Sequence, residues 1–387
     1  MIQNRPPMPA HVSRHSLPLA IWMLLAAVLL ALARGPGALE AVAAFNDGFG
    51  RNLGAFALIL LPSFTLSEAL ARLRPLLPGR LATGAAPPLG AAMVCPDTAY
   101  ATLAPIAGRR RLEVALGAFA GFKLLYPAGP LIVATGLGVT PSGRMLLLGA
   151  TIFVPVWLAG LGWARLAAGG AAAARQGDAK GPLRAHAPLA LLFMLIAAGF
   201  TPLTGSSGRL GFLTTPAGAL LVSAALALAL LPPDARRPAL EAAMRRSAGI
   251  LLLIGIATAL GGLLGRALPV AALSGAASGP AAVIALFTLS AAFKMAQGSS
   301  MATFAAVSPV VAPLAAASGL SAPLVVMAIC AGSLATILPN DSFFWLVRED
   351  ALAGASERRA TMLLALGGLL QALVALAGVL LALEMGL

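Results

Sequence analysis

From Leu17 to Leu383 the sequence returns again and again to apolar runs of about twenty residues, the length a helix needs to cross a bilayer. Only 10% of the residues are charged, where soluble domains carry roughly a quarter. The chain therefore reads as an all-α polytopic membrane protein set in a lipid bilayer. Full spans are expected near 17–34, 52–71, 113–138, 145–164, 188–204, 215–233, 248–266, 323–347 and 361–384. The first run is longer than the 7–15 residues of a leader's apolar core, so it is taken as a span.

The net charge of +13 does not point to nucleic acid. The basic residues stand singly or in small groups between apolar runs, as in cytoplasmic membrane loops. Aromatics, at 5%, offer little for base stacking. Cys95 and Cys330 have neither metal-ligand spacing nor the pattern of a disulfide framework.

Two further apolar stretches, 81–108 and 281–316, are interrupted in the middle. The first breaks at Cys95-Pro96-Asp97-Thr98 and the second at Gln297-Gly298-Ser299-Ser300. Read as re-entrant hairpins with a cytoplasmic N-terminus, they place 19 Lys/Arg on the cytoplasmic side and five outside, with Lys123 and Lys294 left in the membrane. That asymmetry fits the positive-inside rule. The first hairpin then enters from the cytoplasm and the second from outside. Their arms, at about 1.5 Å per residue, reach past the midplane.

The expected architecture is an inverted repeat of helices with two re-entrant hairpins and two discontinuous helices. Residues 1–164 form the first repeat, 165–214 a cytoplasmic loop with a linking span, and 215–387 the second repeat. The span after each hairpin is itself broken, at Tyr126-Pro127-Ala128-Gly129-Pro130 and at Pro339-Asn340-Asp341. Paired broken helices in inverted halves mark secondary transporters that bind solute near the midplane.

Polar groups at that depth are functional candidates by default. Lys294, Gln297, Gly298, Ser299, Ser300 and Thr303 bring a charge, an amide, a flexible backbone and hydroxyls to one hairpin tip. The start of the following arm is a positive helix end suited to a carboxylate. Lys294 attracts an anion, or pairs with Asp341 or Asp97 when the site is empty. Asn340, Asp341 and Ser342 follow a helix-breaking proline, and Asp97 and Thr98 sit at the other tip. Asp341 and Asp97 are the candidate ion-coupling groups; carboxylates suit either H⁺ or Na⁺. Each candidate has a plainer role open to it: helix capping for the carboxylates and serines, helix packing for the small residues, snorkelling for Lys294. No Walker-type loop or zinc-helix motif occurs, so neither an enzyme nor a metal site is expected, and no cofactor beyond the coupling ion.

At these motifs the chain resembles the gluconate:proton symporter family of the wider ion-transporter superfamily. Residues 294–303 are similar to the family's Arg-Val-Ala-Gln-Gly-Ser-Ala-Thr-Val-Ala segment, with Gln297, Gly298 and Ser299 matching. Asn340-Asp341-Ser342 and Phe344-Trp345-Leu346 resemble its Asn-Asp-Ser-Gly-Phe-Trp-Leu segment, and Gly48-Phe49-Gly50 with Leu53-Gly54 an early glycine pattern. Lys294 stands where the family has arginine, losing a planar fork suited to carboxylate. Phe343 stands where it has glycine, and the first broken span lacks the family's histidine. The resemblance implies H⁺-coupled symport of a sugar acid or hydroxy acid such as gluconate in an inner membrane, with a homodimer as one assembly it admits. A Na⁺-coupled carrier, an exporter of organic anions and an anion channel are the alternatives.

Overall fold

A computed structural model describes residues 19–34, 38–50, 53–73, 81–167, 183–199, 211–267 and 278–386. Its helices are α1 (Leu19–Arg34), α2 (Ala38–Gly50), α3 (Leu53–Leu73), α4 (Ala82–Ala92), α5 (Pro96–Ala107), α6 (Arg111–Leu124), α7 (Gly129–Leu137), α8 (Gly143–Ala167), α9 (Ala187–Gly199), the single turn α10 (Gly211–Thr214), α11 (Pro216–Ala229), α12 (Pro233–Ala267), α13 (Gly279–Gln297), α14 (Ser300–Ala317), α15 (Ala322–Gly332), α16 (Ser342–Asp350) and α17 (Glu357–Glu384).

Among the described residues, seven helical segments are long and apolar enough to cross a membrane. Large apolar side chains point outward on several of them, including Leu147, Leu158, Leu373 and Leu381. In water such a surface would be a liability; in lipid it is the ordinary exterior. The protein is a multi-pass, all-α membrane protein.

One order of elements occurs twice. A helical hairpin (α4–α5, then α13–α14) is followed by a broken helix (α6–α7, then α15–α16) and a long helix (α8, then α17). The packing repeats with it. The first hairpin arm lies on the broken helix, α4 on α6 and α13 on α15, and the broken helix lies on the long helix, α6 on α8 and α15 on α17. The second arm of each hairpin crosses over to the other set: α14 packs on α7, and α5 on α16. The two long helices α8 and α17 pack on each other.

Small residues make these close approaches possible. A Cβ on Gly90 would meet the Ala118 carbonyl oxygen at 2.2 Å, and one on Gly121 the Pro87 oxygen at 2.1 Å, so α4 and α6 touch backbone to backbone. In the second set Gly332 of α15 stands in the same relation to Phe287 of α13, at 2.1 Å. Lipid supplies no hydrophobic drive between helices, so packing of this kind is what holds them.

The observed elements depart from the expected spans in three places. The span near 52–71 is preceded by a separate helix, α2, whose apolar pattern is interrupted by Glu40, Asn46 and Asp47. The segment before 248, expected as a cytoplasmic loop, is helical from Pro233, making α12 a 35-residue rod about 52 Å long. The arms of the second hairpin have 19 and 18 residues, about 28 and 27 Å, against 11 and 12 in the first. The linking region 165–214 falls partly outside the described residues.

Candidate functional site

The second hairpin reverses in two residues. Gly298 has φ +70° and ψ −56°, and the Ser299 N–H donates to the Gln297 carbonyl at 2.8 Å. This is a γ-turn of the positive-φ kind, rare and strained for residues bearing a side chain. The turn also lies against the second broken helix: a Cβ on Gly298 would fall 2.2 Å from the Asn340 oxygen. Glycine is therefore required twice, for the dihedral and for the contact. Ser299 caps α14, its hydroxyl accepting from the Ala302 N–H at 3.3 Å, and the Thr303 hydroxyl donates to the Ser299 carbonyl at 2.8 Å.

Lys294, one turn before the reversal, is buried at 1% exposure and Asp341 at 3%. The ammonium donates to the Asp341 carboxylate at 2.5 Å, to the Ser300 hydroxyl at 3.2 Å and to the Gly298 carbonyl. All three of its protons have acceptors. The other Asp341 oxygen accepts from the Phe343 N–H at 3.0 Å and caps α16. Capping and pairing thus coexist in one carboxylate, and of the two partners open to Lys294 the fold selects Asp341. Asn340 ties the same break to the hairpin, its amide donating to the Met295 carbonyl at 2.8 Å.

The first hairpin turns at Val94, φ +47°, a left-handed conformation uncommon for a β-branched residue. Cys95 is the residue preceding α5, and no side chain caps that helix. Asp97, in the first turn, accepts from the Ser342 hydroxyl at 2.7 Å across 245 positions of sequence. Thr98 accepts from Ser67 of α3 at 3.0 Å. The break after Pro339 therefore touches both hairpin tips, through Asp341 to one and Ser342 to the other. Ser299, Asn340 and Ser342 are open at this junction, Asp97, Thr98 and Gln297 half-buried, and Ser300 and Thr303 buried. The Gln297 amide nitrogen is buried without a hydrogen-bond partner.

Two neighbours escaped the sequence reading. Arg246 is one of the 19 basic residues expected on the cytoplasmic side, outside the spans, yet α12 carries it to the first hairpin, where it donates to the Cys95 sulfur at 2.9 Å and lies 4.7 Å over the Phe64 ring. The signal was present: buried Ala239, Ala243, Ser247 and Ile254 continue one helical face straight past it. Farther along the α5–α16 contact, Asp350 accepts from Tyr100 and from Arg111, each at 2.6 Å.

The arrangement places a buried lysine at a backbone reversal, with hydroxyls and amides around it and two carboxylates, Asp341 and Asp97, linked through the second break. The model of GntP family permeases matches residues 187–385, just over half of the chain. Among solved structures, MtrF from Neisseria gonorrhoeae, described with a class of antimetabolite efflux pumps, aligns with TM-score 0.66 and 13% identity over 95% of both chains. The YdaH transporter from Alcanivorax borkumensis, described as having an unusual topology, aligns with TM-score 0.60 and 16% identity over 95% of this chain and 98% of its own. Both likenesses are of fold. No curated protein matches significantly in sequence.

Proposed function

The chain belongs to the GntP family of permeases, and from that premise we propose that it carries a small organic anion, a sugar acid or hydroxy acid such as gluconate, by H⁺ symport and alternating access. It works in an inner membrane with its N-terminus cytoplasmic. Residues 1–164 and 215–387 act as inverted repeats joined by 165–214, with the two hairpins entering from opposite faces.

The observation that carries this reading is the buried Lys294–Asp341 pair at the contact between a hairpin tip and a broken helix. An arriving carboxylate competes with Asp341 for Lys294. The hydroxyls of Ser299, Ser300, Thr303, Ser342 and Thr98, with the amides of Gln297 and Asn340, suit the hydroxyl groups of a sugar acid. The Asp341 carboxylate, once displaced, needs a proton or a cation; Asp97, tied to the same break, is the second group for that role. Because these groups lie at element ends rather than within rigid helices, binding can be coupled to their movement.

Counterflow in proteoliposomes tests the carrier reading. Preloading with unlabelled acid should stimulate uptake of labelled acid, whereas a channel shows no such trans-stimulation. Gluconate, other sugar acids and hydroxy acids form the panel, which a thermal-shift screen narrows first. If neutral or cationic solutes stabilise the protein and no acid does, the anion assignment is wrong. Accumulation driven by a Na⁺ gradient alone would reassign the coupling ion. The efflux described for MtrF makes export the alternative direction, and the sign of the gradient that drives net movement decides it.

A further inference from the structure

Lys123 lies outside the set of groups that hold the candidate site together. It is the penultimate residue of α6, in the last turn before that helix breaks, with 0% exposure. Its amine has no hydrogen-bond partner among the described residues. Three aromatic rings surround it: Phe304 of α14 with its centroid at 4.6 Å, Phe119 at 5.2 Å and Phe122 at 5.6 Å. The titratable groups facing it are Lys294 on α13, Asp341 at the second break and Cys330 on α15. The Phe119 ring is shared, since the Lys294 ammonium lies 5.7 Å from its centroid. That ring also stacks on Phe343, two residues beyond Asp341, at 5.8 Å.

A fixed ammonium in such a place would be a buried charge without an acceptor, an arrangement that folded proteins avoid. A lysine amine escapes it by giving up its proton. The rings nonetheless offer their negative faces to a cation when one forms. We propose that Lys123 binds the transported proton, and that Asp341 is its counter-charge in the loaded state. The assignment rests on the anion-symport reading above.

Charge balance then links the two cargoes. With Asp97 left aside on the Ser342 hydroxyl, Lys294⁺ faces Asp341⁻ in the empty state and Lys123 is an uncharged amine, so these three groups sum to zero. When a substrate carboxylate takes Lys294, Asp341⁻ is released. A proton delivered by water forms a new N–H bond at the Lys123 lone pair, and Asp341⁻ balances it. Two neutral pairs result, Lys294⁺ with the anion and Lys123–H⁺ with Asp341⁻. Release on the other side breaks the N–H bond, returns the proton to water and restores the Lys294–Asp341 pair. One proton accompanies each monovalent anion. Either cargo alone leaves the cluster charged, and coupling between binding sites of this kind is reciprocal.

The protein itself supplies a test that needs no transported solute. Its lysines are Lys123, Lys180 and Lys294. Lysine labelled with ¹⁵N at Nζ, in a Lys180→Arg background in nanodiscs, leaves two signals, and Lys123→Met assigns them. The Lys123 signal should change from ammonium to free amine as the pH is raised across the range in which the protein stays folded. In Asp341→Asn its midpoint should fall by about one pH unit or more, a tenfold change, because the counter-charge is gone. If that variant does not fold, Lys294→Gln carries the same test with opposite sign: loss of the like charge should raise the midpoint. A signal that keeps one form over the whole range, or a midpoint indifferent to both substitutions, overturns the proposal. Either result leaves the anion-carrier reading to its own counterflow test.

Discussion

Lys294 and Asp341, 47 positions apart in sequence, meet as an ion pair 2.5 Å long with both side chains almost wholly buried. One belongs to a hairpin arm and the other to the break in the neighbouring helix. The pair therefore both neutralises two costly charges and fixes the spacing of two elements. Removing one partner leaves the other buried and uncompensated, which typically costs about 3–5 kcal/mol. Asp341→Ala should lower the unfolding temperature sharply, and the double variant Lys294→Met with Asp341→Leu should regain most of the loss. Equal damage from single and double variants in a thermal melt would show that the charges are not acting as a pair.

Gly298 fixes how closely the hairpin tip approaches Asn340. Alanine there must hold a strained dihedral, worth about 1–3 kcal/mol, and push back a carbonyl that its Cβ would otherwise overlap. Gly298→Ala is expected to lose both stability and transport. An unaltered melting temperature would contradict the tight turn.

Asp97 and Ser342 join the first hairpin to the second broken helix through one hydrogen bond. With Cys95 and Cys330 replaced by serine, the pair Asp97→Cys and Ser342→Cys should cross-link on oxidation. Uptake should stop until the bridge is reduced. A bridged protein that still transports would mean that this contact stays closed through the whole cycle.

Farther along the α5–α16 contact, Asp350 holds the buried Tyr100 and the half-buried Arg111 together. Charge-assisted hydrogen bonds of this kind contribute about 1–2 kcal/mol when half-screened. Asp350→Asn should destabilise modestly and leave solute affinity unchanged in a thermal-shift titration. A large fall in affinity would place Asp350 in the binding machinery instead.

Much of this site was legible in the residues because polar and helix-breaking types are rare in apolar sequence. Gly298 beside two serines marks where the backbone leaves the helix, and that break falls there; Pro339, Asn340 and Asp341 mark only the far end of the second break, which begins at Ser333. What could not be read was the pairing. Sequence allows Lys294 either Asp341 or Asp97; the choice depends on how α13 sits against the second break, and that is set by backbone contacts such as Gly332 on Phe287. Arg246 was missed because a basic cluster flanking an apolar run looks like a loop, although Pro233 starts a helix that carries it inward. α2 was missed because its acidic and amide residues dilute its apolar face below the level of a span.

The most direct measurement is accumulation of the acid that the panel selects, in proteoliposomes carrying an imposed pH gradient, compared between the unmodified protein and Asp341→Asn. The account predicts accumulation above equilibrium in the unmodified protein, collapse when an ionophore dissipates the gradient, and no pH-driven accumulation in the variant. Full accumulation by Asp341→Asn would contradict it.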